Sequence, residues 1–227
     1  MLDVLVFSPH PDDAELGAGG AIVKAVKSGL KIGIIDLTAG EMGTHGTKEI
    51  RLSESQKAAK VLGIDIRENL ELPDGYLTYK IDKKTTLLIT EKIREFKPRI
   101  VLVPYWDDRH PDHIAAYKII TDAIHYAKLV KIKLDNPKHK VEKTIIYEIN
   151  GQFSPSFIMD ISDEFETKKK AIMTHASQFK EFTMEYLPFP VEERCQYYGS
   201  LLFSKYGEAF LMKEQLAINN WNCLIDK

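Results

Sequence analysis

Four short β-rich runs, each leading into a stretch with helical apolar spacing, constrain this chain more than any other feature. "DVLVFSP" (3–9) precedes an amphipathic stretch at about 14–28, and "KIGIIDLT" (31–38) precedes a Gly-rich loop and "KEIRLSESQKAAKVLG" (48–63). "IRENLEL" (66–72) is followed by "PDGYL" and a helical pattern at about 82–97. "RIVLVPY" (99–105) leads into "DDRHPDHIAAYKIITDAIHYA", whose apolar spacing is helical from residue 114. Apolar strands alternating with helices predict an α/β fold: a Rossmann-like, mainly parallel sheet flanked by helices, with right-handed crossovers. Such a sheet holds its ligands in the crevice beyond the carboxyl ends of the strands.

After residue 130 the pattern changes. "KTIIYEIN" and "FIMDIS" read as strands, "EFETKKKAIMTHASQF" and roughly 191–206 as helices, and "EAFLMKE" as a last strand. The expectation is a single domain over 1–227, with a Rossmann-like part (1–130) carrying the site and an α+β elaboration (131–227) completing it. Lys168–Lys170 reads as a solvated helix face. A formal net charge of −2 gives no basic excess that would point to nucleic acid. Cys195 and Cys223 form no CxxC pair, which argues against a thiolate zinc site or a disulfide framework. No run of about eighteen apolar residues and no leader pattern is present, so the reading is a cytoplasmic protein without membrane partners.

The Gly-rich turn after the first strand, "SPHPDDAELGAGG" (8–20), invites a nucleotide reading that fails on particulars. Gly17, Gly19 and Gly20 do not follow G-x-G-x-x-G. Asp36 does end the second strand, where a ribose-binding acid belongs, but Asp12 and Asp13 would repel a pyrophosphate. The glycines are better read as permitting close helix–sheet packing.

The carboxylates suit a metal. His10 and Asp13, three apart in a loop turned by Pro11, can converge on one point. "RHPDH" (109–113) follows the fourth strand, with Pro111 suited to the first helical position. His110 and His113 then flank the first turn, and the loops face each other if strands one and four are neighbours. Taken alone, Asp12-Asp13 reads as a turn or helix cap and His-Pro-Asp-His as a solvated helix start. Together, at two strand ends, they supply two imidazoles and a carboxylate with an open position, the donor set of a catalytic zinc site. His10, Asp13 and His113 are therefore assigned as ligands of one Zn(II), with Fe(II), Co(II) or Mn(II) equally compatible. A divalent ion lowers the pKa of a bound water from about 15.7 toward about 7. Asp12 is left as general base, and His110, oriented by Asp112, as donor to an oxyanion or a leaving amine. Glu15 either orients a ligand or caps the helix, and His45, His125, His139 and His175 read as surface or satisfied core residues.

These motifs resemble the LmbE/PIG-L family of zinc-dependent N-acetylglucosaminyl deacetylases. The resemblance rests on "PHPDDAELGAGG", "DLTAGEMGTHGT" followed by "EIR", and "DRHPDH", in that order over roughly residues 3–115. "ENLELPDGYL", "FSPSFIMDIS" and "SQF" (177–179) look like the branch that deacetylates N-acetylglucosaminyl malate in bacillithiol biosynthesis. The resemblance supports the same three ligands, Asp12 as base and His110 with Asp112 as oxyanion and leaving-group partner. It further implies Arg51 as a substrate contact and Glu41 near the sugar. Arg109 beside the site would bind a carboxylate such as malate bidentately. The family's C-terminal tyrosine is left open among Tyr186, Tyr197, Tyr198 and Tyr206, with core packing the simpler role for each.

The activity expected is hydrolysis of the acetamide of an N-acetylglucosaminyl conjugate, a small-molecule substrate. A metal phosphoesterase and a non-catalytic sugar-binding protein are the alternatives. The apolar segment "LAINNWNCLI" (216–225) suits either a homo-oligomer interface or packing on its own domain.

Overall fold

The computed structural model describes residues 1–80, 82–179, 191–215 and 217. Its sheet has seven strands in the order β3-β2-β1-β4-β5-β7-β6: β1 Val4–Ser8, β2 Ile32–Thr38, β3 Ile66–Leu72, β4 Ile100–Pro104, β5 Lys143–Tyr147, β6 Phe157–Asp160 and β7 Gly207–Leu211. The first five are parallel; β7 runs antiparallel to both β5 and β6. Strands β1 and β4 are direct neighbours, with Val4 opposite both Ile32 and Ile100. The chain therefore winds outward from β1 through β2 to β3, then returns to β1's other side for β4. That reversal opens a crevice at the carboxyl ends of β1 and β4.

Residues of β1 alternate between two cores. Leu5 and Phe7 join Ile35, Leu37, Val101 and Val103 beneath α3 (Lys83–Phe96) and α4 (Pro111–Ala127). Val4 and Val6 join Ile32, Ile34 and Leu102 beneath α1 (Asp13–Lys27). Both faces are covered, which is why these strands read as unbroken apolar runs. The remaining helices are α2 (Lys48–Leu62), α5 (Phe165–Met173), α6 (Ala176–Phe179) and α7 (Val191–Ser200). Helix starts follow the expected chemistry: Thr47 and Asp82 accept N–H bonds from Ile50 and Thr85, and Pro111 opens α4.

The glycines of "GAGG" are packing residues. A Cβ on Gly17 would lie 2.2 Å from the Glu148 carbonyl and 2.4 Å from the Tyr147 ring, and one on Gly20 would lie 2.6 Å from Ile161. The C-terminal part thus presses directly on α1.

Three expectations need correction. Lys168 is not on a solvated face: it is fully buried, with Nζ 2.5 Å from Glu208 Oε1 and 2.9 Å from the Leu16 carbonyl. The helix expected over 164–179 breaks between Met173 and Ala176, where His175 turns inward to Glu15. The helix expected over 191–206 stops at Ser200, because Tyr206 enters a separate, smaller core with Ile161, Phe165 and Ile172 and stacks on Phe165 at 3.8 Å. The segment 216–225 lies outside the described residues apart from Ala217, and so do Tyr186 and Cys223. Among the described residues no helix is long and apolar enough to cross a membrane.

The buried Lys168–Glu208 pair joins α5 to β7, and its carboxylate also accepts the N–H groups of Gly20 and Ala21. Removing one partner strands the other charge in the core. Lys168→Ala should cost about 3–5 kcal/mol of stability, measured by urea denaturation. The paired replacement Lys168→Met with Glu208→Leu should cost clearly less.

Candidate active site

Loops from the five parallel strands meet at the carboxyl edge of the sheet. After β1 the chain turns through His10–Asp13. The turn is held by Ser8 Oγ donating to the His10 carbonyl (2.6 Å) and by the His10 N–H donating to Asp13 Oδ2 (2.9 Å). After β4 it reaches Asp108, then His110 as N-cap of α4 and His113 in its first turn.

Three donor atoms from these two loops form a triangle. His10 Nδ1 is 3.0 Å from Asp13 Oδ2, His113 Nε2 is 3.3 Å from the same oxygen, and the two nitrogens are 3.3 Å apart. A tetrahedral ion with donors at about 2.0–2.2 Å separates them by about 3.3–3.6 Å, so this donor set fits one divalent ion closely. All three residues are buried.

Each imidazole is backed by a carboxylate on its far nitrogen. Asp74 Oδ1 stands 3.0 Å from His10 Nε2, with Asp112 Oδ2 at 3.5 Å, and Asp108 Oδ2 stands 3.1 Å from His113 Nδ1. These are contacts of charge at ion-pair distance, and neither His10 Nε2 nor His113 Nδ1 makes a hydrogen bond among the described residues. Carboxylates placed this way fix the ring orientation of a ligating histidine and raise its basicity. Burial alone would lower the pKa of His113, but Asp13 and Asp108 override it and lift it to about 9. His10 is likewise held well above its ordinary value, against burial, by Asp112, Asp13 and Asp74. Burial would raise Asp13, yet His113 and His10 hold it well below the usual carboxylate range.

Asp12 takes φ 138°, ψ −28°, a left-handed conformation rare outside glycine. Arg51 braces it. The guanidinium donates to the Gly40 carbonyl (2.6 Å), the Pro11 carbonyl (3.1 Å) and Asp12 Oδ2 (3.2 Å), leaving Nε without a partner among the described residues. Arg51 lines the cleft, but it is buried and clamps the β1 loop rather than reaching freely for a ligand. Burial pushes the Asp12 carboxyl up to about 6, with Arg51 opposing.

His110 is half-buried, stacked on His113 at 4.7 Å and edge-on to His10 at 4.8 Å. Its Nδ1 accepts the backbone N–H of Asp112 (3.2 Å). The carboxylate of Asp112 is directed elsewhere, accepting from the Gly75 N–H (2.7 Å) and the Leu77 N–H (3.1 Å) and facing His10. Asp112 thus orients His110 through its backbone, not through its carboxylate. An acceptor at Nδ1 selects the neutral tautomer with its hydrogen on Nε2. Desolvation and the neighbouring His10 and His113 lower the His110 pKa, which favours that neutral form.

Glu41 is exposed and accepts the Asp74 N–H (3.0 Å), so it secures an acid that backs His10. Arg109 is exposed on the cleft rim with no ion-pair partner among the described residues. Glu15 neither caps α1 nor touches a ligand. It pairs with Arg67, which also grips Asp36 at 2.8 Å and 2.9 Å, and with His175 at 3.2 Å. Burial would raise Glu15, but Arg67 and His175 hold it well below its ordinary value. Tyr198 donates to Glu148 (2.6 Å) and Tyr206 to Glu192 (2.9 Å); no described tyrosine lines the cleft. Sequence reasoning did not assign Asp74 and Asp108, although both stand in quoted motifs, "PDGYL" and "DDRHPDH". Asp108 had only the signal of an acid beside the candidate ligands, and Asp74, far from them in sequence, had none.

A doubly wound sheet whose strand ends carry a buried His/Asp donor triangle and an adjacent braced carboxylate defines the class. Residues 5–124 match the family model PIG-L: GlcNAc-PI de-N-acetylase. The chain is 31% identical to the diacetylchitobiose deacetylase of Thermococcus kodakarensis, over 90% of this chain and 80% of that protein. It is 26% identical to a probable N-acetyl-alpha-D-glucosaminyl L-malate deacetylase 2 of Bacillus anthracis, over 78% and 81%. The conserved protein TT1542 of Thermus thermophilus superposes with a TM-score of 0.91 at 38% identity, covering 98% of this chain and 99% of that one. The chain belongs to the PIG-L deacetylase family. The malate-specific branch is only a distant relative.

Two outcomes follow for the donor triangle. Asp108→Asn removes the charge behind His113 and should weaken zinc binding about 10–100-fold, read by competition with a chromophoric chelator. With Asp13 and Asp108 lifting the His113 pKa to about 9, a divalent ion at Nε2 competes with a proton there. Apparent affinity should therefore fall at least about tenfold per unit as pH drops from 8 to 6, whereas a flat profile would exclude that competition.

Proposed function

We propose that this protein hydrolyses the acetamide of an N-acetylglucosaminyl conjugate, releasing acetate and the free amino sugar, with His10, Asp13 and His113 holding one zinc ion. Fe(II), Co(II) and Mn(II) suit the same donors. The observation that carries the reading is Asp12: a buried, braced carboxylate beside the donor triangle, which a purely structural or sugar-binding site would not need. When bound, the ion would polarise the acetamide carbonyl and acidify water. Asp12 accepts the proton of the attacking water, for which a carboxyl near 6 is basic enough and still mostly ionised at neutral pH. His110 donates its Nε2–H to the oxygen that gains charge as the carbonyl becomes tetrahedral. The C–N bond then breaks and the departing nitrogen takes up the proton held by Asp12. One water is consumed and acetate and amine leave.

A phosphoesterase using two metals is disfavoured by the donor count. Both further groupings of possible donors among the described residues share His10: one with His110 and His113, and an acidic one with Asp74 and Asp112. The latter's carboxylates are also engaged by the N–H groups of Met42, Gly75 and Leu77. The relatives' names offer two partners for the acetylated sugar, a second N-acetylglucosamine and malate. Arg109 supports malate through its rim position, and the higher identity supports the disaccharide. Bacillithiol biosynthesis and a cytoplasmic location stay with the malate reading. A homo-oligomer belongs to the proposal too, supported by the exposed apolar residues Tyr197, Leu201, Leu202 and Phe203.

Acetate release from N,N′-diacetylchitobiose, N-acetylglucosaminyl malate and N-acetylglucosamine, with metal-stripped and zinc-restored protein, tests the reaction. Zinc-restored release is expected, and none from any substrate overturns it. Asp12→Ala should keep its zinc and lose about 10²–10⁴-fold in kcat. Unchanged turnover would remove Asp12 as the base.

A further inference from the structure

The cleft, about 400 Å³ in volume, has two walls of different origin. One is the donor triangle with Asp12, Arg51 and His110. The other is built by a single turn far along the chain, Thr174–Phe179, whose Gln178 and Phe179 line the cleft beside Met42 and Gly43. α6 within this turn is four residues long, too short to hold its shape alone. Its position is set by what it is tied to.

Among the described residues its ties reach back into the first half of the chain, the Thr174 hydroxyl donating to the Glu54 carbonyl (3.4 Å) among them. His175, fully buried, places Nε2 3.2 Å from Glu15. Glu54 of α2, also buried, accepts both the Ser177 N–H (2.8 Å) and the Ser177 hydroxyl (2.6 Å). Gln178 Nε2 donates to the His45 carbonyl (2.6 Å) in the loop after β2. That loop lies so close that a Cβ on Gly46 (φ 82°) would stand 2.7 Å from Ser177 Oγ. Two buried acids, neither part of the proposed chemistry, thus help fix one surface turn against α1, α2 and the loop after β2.

What the turn offers the cleft is the lining part of the Phe179 ring, whose remainder packs on the core around Phe165 and Tyr206, and, on Gln178, an Oε1 with no partner among the described residues. An aromatic face beside an amide acceptor matches the apolar face and hydroxyl edge of a pyranose. We infer that the Thr174–Phe179 turn receives a second sugar ring beyond the acetylated one, with Gln178 and Phe179 as specificity-determining contacts and Glu54 and His175 as positioning residues. This rests on the deacetylase reading above.

Acetate release from N,N′-diacetylchitobiose and from N-acetylglucosamine, by zinc-loaded wild type, Gln178→Ala, Phe179→Ala and Glu54→Ala, tests it. Each variant should raise KM for the disaccharide about five- to tenfold, with kcat and zinc content unchanged and the monosaccharide affected less than about twofold. Glu54→Gln, which keeps an acceptor oxygen for Ser177, should recover most of the loss; a merely structural Glu54 would not give this split. Equal losses on both substrates, or none on either in Gln178→Ala and Phe179→Ala, overturn the inference. Should Glu54→Ala fail to fold, those two variants decide it. Failure of the deacetylase reading shows instead in the wild type, as no acetate from any substrate.

Discussion

The hydrogen bonding of β1 to both β2 and β4 is the constraint on which the rest depends. Residues 10–13 and 108–113 are about a hundred positions apart, and neither loop holds a complete donor set. Pairing Val4 with Ile100 brings both loops to one edge, and donor atoms then meet within 3.3 Å. The sheet can place them so closely because both of its faces are packed, leaving β1 and β4 no freedom to slide. A one-residue slip of β4 would turn its core-facing side chains to the opposite face.

Around that edge the protein buries many charges, most of them with an opposite at contact distance, while Glu54, Glu148 and Arg194 are met by neutral groups. Arg67 is held between Glu15 and Asp36, Lys168 by Glu208, and Arg51 by Asp12. Each pair joins elements distant in sequence: β3 to α1 and β2, α5 to β7, α2 to the β1 loop. Buried charges of this kind are poor sources of stability but penalise alternative packings strongly, because any misplacement leaves one ion alone. They hold the cradle in place without adding apolar bulk to a cleft that must admit a polar substrate. The left-handed Asp12 is consistent with this, since three hydrogen bonds from Arg51 fix the loop around it.

The early part of the chain was legible because its signals are local. The alternation of strands with helices and the Pro111 start of α4 depend on neighbours in sequence, whereas the "GAGG" glycines announced close packing without naming Tyr147, Glu148 and Ile161 as what packs there. The later part was less so. Helices read over 164–179 and 191–206 are shorter in the structure, since His175 and Tyr206 leave the helical path for partners more than 40 residues away. Lys168 looked like one of three solvated lysines, because composition cannot show that Glu208 waits behind it.

By itself the sequence determined the donor types and their local spacing: a histidine and an acid three apart after β1, two histidines three apart after β4, and a spare acid between. Those are properties of short loops, where covalent geometry limits what side chains can reach. Only the tertiary structure decided what stands behind them. Asp74 and Asp108 support the imidazoles, the Asp112 backbone rather than its carboxylate sets His110, and Arg51 braces Asp12 instead of standing free. These assignments depend on which strand ends lie side by side and which way each carboxylate turns. Asp74 and His10 are 64 positions apart and Arg51 and Asp12 are 39 apart, so packing fixes those contacts, whereas the turns of one loop decide how Asp108 meets His113 and how Asp112 meets His110.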